Sequence, residues 1–60
     1  MRNYIVVFKD GTSEIVRDID GIVFDGVYRF YSGNYLIKKY YSYELAWFNF
    51  EEEGNKFYGQ

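Results

Sequence analysis

The sequence predicts an all-β domain, a five-stranded antiparallel meander that closes, or nearly closes, into a small barrel. Three observations lead there. Asp10-Gly11, Asp20-Gly21, Asp25-Gly26 and Ser32-Gly33-Asn34 punctuate the chain at short intervals. Such pairs favour the positive-φ turns of tight hairpins, because Gly carries no Cβ and Asp or Asn tolerates that conformation. The segments between them are rich in Val, Ile, Phe and Tyr, residues that suit a pleated, half-buried surface. Proline is absent from all 60 residues, so no ladder hydrogen bond is lost to it.

The first strand is expected over 3–9, with Tyr4, Val6 and Phe8 on one side and Ile5 and Val7 on the other. It is apolar on both faces. A strand of that kind belongs in a sandwich, in a barrel wall that meets another element, or in an oligomer. So short a chain has few layers to spare, which points to an oligomer. A second strand, 12–19, follows the Asp10-Gly11 hairpin. The third, 22–31, is kinked at Asp25-Gly26; Tyr28 and Phe30 share one of its faces, Arg29 and Tyr31 the other.

The fourth strand, 35–41, sets Leu36, Lys38 and Tyr40 against Tyr35, Ile37, Lys39 and Tyr41. Neither side is cleanly apolar. Ser42 then has room to cap at most one short 3₁₀ turn containing Glu44. The last strand, 45–51, is expected to point Leu45, Phe48 and Phe50 inward, with a bulge between the first two, leaving Trp47 facing out. One domain over 1–53 follows from these elements, and 54–60 is expected to be a frayed tail or a purchase point for a partner.

Bulk properties bound the chemistry. A 60-residue domain buries only roughly 60% of the surface its unfolded chain exposes, and no cysteine is present to cross-link it. Without Cys or His there is no disulfide, no thiol nucleophile and no zinc site of the usual ligand types. That composition suits the cytoplasm. The chain has aromatic mass instead, with eight Tyr, six Phe and one Trp. Each ring removes on the order of 150–250 Å² from water when buried, and so small a core cannot hold them all.

Met1-Arg2-Asn3 leads straight into the apolar alternation, without the pattern of a signal peptide. The longest apolar run, Tyr4-Ile5-Val6-Val7-Phe8, is far short of the roughly 20 residues that span a bilayer. A soluble protein with no membrane association is expected.

Several segments together are familiar. Lys9-Asp10-Gly11 closes a first hairpin, Phe30-Tyr31 ends a bent middle strand, and Tyr35-Leu36-Ile37 opens the next. A short polar turn then leads to Leu45-Ala46-Trp47-Phe48. Over roughly residues 3–52 this resembles the small five-stranded SH3-like and Sm-like barrels, including the very short barrel proteins of phage and prophage genes. The resemblance is one of pattern and length. It implies a protein that acts by binding, as an oligomer, a nucleic-acid adaptor or an inhibitor of a host protein. The Sm-type RNA-binding signature is not recognisable, so no functional residue carries over.

An enzyme would need acid–base or nucleophilic groups, and here only carboxylates, Tyr, Lys, Ser and Thr are available. Asp18-Ile19-Asp20-Gly21 has part of a calcium loop, but the third acidic position before the glycine and the closing Glu are missing. Asp20 and Asp25 read more simply as hairpin-turn residues. Glu51-Glu52-Glu53 is either an acidic hook for a basic partner or an exposed exit that discourages edge pairing. No catalytic residue, cofactor or metal is expected.

Charge is divided along the chain: −2 over residues 1–25, +3 over 26–42 and −3 over 43–60, for a total of −2. The basic segment interleaves Arg29, Lys38 and Lys39 with Tyr28, Phe30, Tyr31, Tyr35, Tyr40 and Tyr41. Its aromatics have three readings. They are strand formers that fill a core, a protein interface enriched in Tyr, Trp and Arg, or a stacking platform for single-stranded nucleic acid or nucleotide. The acidic total weighs against the last. Arg29, Tyr31, Tyr35, Lys38, Lys39, Tyr40, Tyr41 and Trp47 are therefore the candidate binding residues, for a protein partner or a second copy first and for nucleic acid second.

Overall fold

A computed structural model describes residues 1–51 of the chain. It is all-β and antiparallel, with one 3₁₀ turn. The order is β1 (Arg2–Phe8), β2 (Ser13–Ile19), β3 (Gly21–Phe24), β4 (Val27–Ser32), β5 (Tyr35–Tyr41), the 3₁₀ turn Ser42–Glu44, and β6 (Leu45–Phe50). The strands form two three-stranded sheets, β2-β1-β6 and β3-β4-β5. The expectation of five strands closing, or nearly closing, into a barrel is corrected in part: six strands are present among the described residues, and they form two separate sheets, neither closed on itself.

The extra strand arises at Asp25-Gly26, whose residues favour a hairpin turn. Asp25-Gly26 is a full reversal rather than a kink, with Gly26 at φ 90°, and it separates β3 from β4. Asp20-Gly21 is no hairpin. There the chain passes from the edge of the first sheet to the edge of the second, and Gly21 does not adopt a positive φ. The Asp20 carboxylate is used elsewhere, accepting the Gly33 N–H at 2.9 and 3.1 Å. It thereby ties the β4–β5 turn to this corner.

The other turns follow the sequence. Between β1 and β2, Gly11 sits at φ 93°, and Asp10 Oδ1 accepts from the Thr12 N–H at 2.9 Å and the Thr12 hydroxyl at 2.6 Å. Those two bonds hold the Asp10 carboxyl below its ordinary value, the hydroxyl contributing most. Between β4 and β5, Gly33 takes φ 61° and Asn34 does not, the positive first residue that II′ hairpins require. The 3₁₀ turn lies where expected, but no side chain caps it.

Alternation along the strands sends Val6, Val16, Ile19, Phe30, Tyr40 and Leu45 into the core, with Tyr4, Phe8, Ile22, Tyr28 and Phe48 packed against it. Phe30 is its centre. Fully buried, it meets Tyr4, Tyr40 and Phe48 edge-on at 5.4–5.6 Å, and such aromatic pairs add about 0.5–1.5 kcal/mol each beyond area burial. The expected bulge in the last strand is present: Phe8 pairs with Leu45 and Val7 with Trp47, leaving Ala46 over. Phe50 faces inward only at the rim, between Tyr4 and the Arg2 guanidinium, and stays 42% exposed. Glu52, Glu53 and the tail expected over 54–60 lie outside the described residues.

Candidate binding face

The register of the second sheet determines which basic and aromatic residues meet. Arg29 pairs with Val23 on one side and Lys39 on the other. In the next rows Tyr31 lies between Gly21 and Leu36, and Val27 lies opposite Tyr41. Directly opposed residues point to the same side of an antiparallel pair, and their neighbours Tyr28 and Phe30 point into the core. Arg29, Tyr31, Lys39 and Tyr41 therefore share the outer face of this sheet, with Val23 and Leu36 half exposed beside them.

Tyr43, in the 3₁₀ turn, extends this face. Its ring stacks on Tyr41 at 5.6 Å with a 12° interplanar angle, and it is 70% exposed. The Lys39 ammonium lies 5.6 Å from the Tyr41 ring. Sequence reading missed Tyr43 because it fell in a turn assigned no surface. Its spacing from Tyr41 across a 3₁₀ turn was the available signal.

Electrostatically the face is weaker than its composition. Arg29 donates to Asp25 Oδ1 at 2.6 Å, so an acidic residue from outside the +3 segment neutralises one of its three cations.

The remaining candidates go elsewhere. Tyr40 is corrected from a surface residue to a core one, only 4% exposed. Its hydroxyl donates to Glu14 on β2, and burial first, then that carboxylate, pushes the phenol's pKa well above 10.0. Lys38, opposite the buried Phe30, approaches the same Glu14 carboxylate at 3.5 Å, so it bridges the two sheets rather than joining Lys39. The reason for both is strand alternation, which divides a basic run between two sides.

Tyr35 is 77% exposed but lies at the Gly33-Asn34 turn, and six steps of strand at about 3.3 Å put it roughly 20 Å from Tyr41. Trp47 is 55% exposed as expected, yet it belongs to the other sheet. A cleft of about 480 Å³, lined by Met1, Arg2, Asn3, Arg17 and Glu51, contains none of the eight candidates. Among the described residues no helix is long and apolar enough to cross a membrane.

No protein-family model, curated protein or solved structure matches the chain.

Proposed function

We propose that this chain is a non-catalytic interaction protein that binds a protein partner, or a second copy of itself, through exposed aromatic residues. The observation that carries this reading is the outer face of the second sheet. There a stacked Tyr41–Tyr43 pair, Tyr31, Leu36 and Val23 surround Arg29 and Lys39. Tyr and Arg anchors within an apolar surround are the composition of binding hot spots.

The SH3-like reading of the fold belongs with this proposal. It draws support from β2 and β3 being consecutive strands that meet at Asp20 and serve different sheets, and from the 3₁₀ turn before the last strand. The likeness to very short phage barrels extends the proposal to inhibition of a host protein in the cytoplasm.

The single-strand nucleic-acid reading is the second. The stacked tyrosines favour it, but the Asp25–Arg29 ion pair removes a cation from that face. The immobilised chain and a Tyr41→Ser/Tyr43→Ser variant separate the readings. A protein retained by the first and lost by the second supports the protein-partner reading. Oligonucleotide binding that falls steeply with salt would replace it with the nucleic-acid one. Retention of the same proteins by both chains counts against this face.

A further inference from the structure

The outer face of the first sheet is a second, separate surface. Its pairing places residues in three rows along the strands. Val7 lies between Ser13 and Trp47, and Ile5 between Ile15 and Asn49. Asn3 lies between the Arg17–Asp18 bulge and Glu51, whose N–H donates to the Asn3 carbonyl at 2.8 Å. Val6 and Val16 are buried in the core, so Ile5, Val7, Ile15 and Arg17 alternate to the outside. Ile15 and Trp47 are 41% and 55% exposed.

We propose that this face is the contact between two copies of the chain, related by a two-fold axis running along β1. Rotation about such an axis preserves position along the strands and lays β2 of one copy over β6 of the other. The first and last rows then meet their complements. Trp47, the bulkiest residue of the face, lies over Ser13 of the second copy, which is among the smallest. Asn49, whose Oδ1 already accepts the Phe50 N–H, lies over Ile15 of the second copy. Glu51 lies over Arg17 of the second copy, and the symmetry repeats that acid–base pair. Ile5 and Val7 meet their own counterparts at the centre.

The arrangement is isologous, as closed dimers require, with the sheets at the usual ~10 Å face-to-face spacing. Neither like charges nor two indoles are forced together. Three strands at about 4.8 Å spacing and about seven residues at ~3.3 Å give a footprint of roughly 300 Å². That is well below the ~800 Å² per partner of a stable complex. The dimer is therefore weak and forms only at high concentration.

This inference rests on the self-association half of the proposed function but uses a different face from the tyrosines, so the two fail separately. Sedimentation velocity from about 10 µM to about 1 mM is expected to show monomer passing to dimer, with Trp47 emission moving to shorter wavelength over the same range. Arg17→Glu alone and Glu51→Arg alone are each expected to weaken the dimer by about tenfold or more. The double variant R17E/E51R is expected to restore it. Both side chains are exposed, and far-UV circular dichroism confirms that the variants fold.

A monomer at every concentration overturns the proposal together with self-association, and leaves a protein partner on the tyrosine face untouched. A dimer indifferent to the charge swaps but dissociated by Tyr41→Ser/Tyr43→Ser overturns this face alone. Failure of the double variant to recover, with both singles impaired, also overturns the pairing.

Discussion

Asp18 is the one described non-glycine residue at positive φ, 61°. It lies in the β2 bulge opposite Asn3, where Arg2 pairs with Ile19 but Tyr4 with Val16. The Asn3 side-chain oxygen accepts the Asp18 N–H at 3.0 Å, satisfying a donor that the bulge removes from the ladder. Left-handed backbone costs an ordinary L-residue roughly 1–2 kcal/mol, and Asp and Asn tolerate it better than most. Asp18→Gly should leave stability unchanged or raise it by up to about 1 kcal/mol, while Asp18→Val should lower it by about 1–2 kcal/mol. Urea unfolding of the two variants checks this. Nothing in the local sequence marked Asp18 for this role, because a bulge is set by the partner strand.

At the scale of elements, the corner at Asp20 shows how one side chain holds two connections. The Asp20 N–H donates to the Tyr31 carbonyl at 2.9 Å while its carboxylate accepts from Gly33. The corner and the β4–β5 turn are thus fastened to each other. Asp20→Ala should cost about 1 kcal/mol and speed hydrogen exchange at the Gly33 amide, leaving the β1 amides protected as before. Equal acceleration across both sheets would mean that the tie is not local.

The edge strand β6 is managed differently, since Leu45–Phe50 carries no charge. The unpaired Ala46 interrupts its ladder, and Asn49 occupies the Phe50 N–H. Both features discourage strand addition at that edge.

For the whole molecule, the junction between sheets is polar as well as aromatic. Glu14 on β2 receives the Tyr40 hydroxyl and lies near the Lys38 ammonium, both from β5, so the two layers are tied across the core. Tyr40 has its pKa raised in the folded chain above the ordinary 10.0, by burial and by Glu14. A raised folded value stabilises fully below the unfolded one, and that contribution is lost as pH rises from about 10 through the folded value. Tyr40→Phe should therefore be less stable at neutral pH by about 1–2 kcal/mol. The gap to the wild type should shrink above about pH 10, Lys38 being common to both chains. Thermal unfolding of the pair from pH 7 to 11 measures it. A gap that stays constant would place the phenol outside the tie.

The sequence by itself determined the β class, the Asp10-Gly11 and Gly33-Asn34 turns, the 3₁₀ turn, the bulge before Trp47 and the shared face of Tyr28 and Phe30. Each is a local property of residue type, turn chemistry or strand period. Only the tertiary structure decided that Asp20 is a corner, that Asp25-Gly26 takes its turn reading and not its kink reading, and that Tyr40 and Lys38 face Glu14 while Arg29 faces Asp25. These depend on which strand lies opposite which. A single chain of letters does not contain that pairing, since a shift of one residue sends every side chain to the other face. The basic-aromatic segment that looked like one surface is for that reason divided, with Arg29, Tyr31, Lys39 and Tyr41 on its outer side and Lys38 and Tyr40 on its inner one.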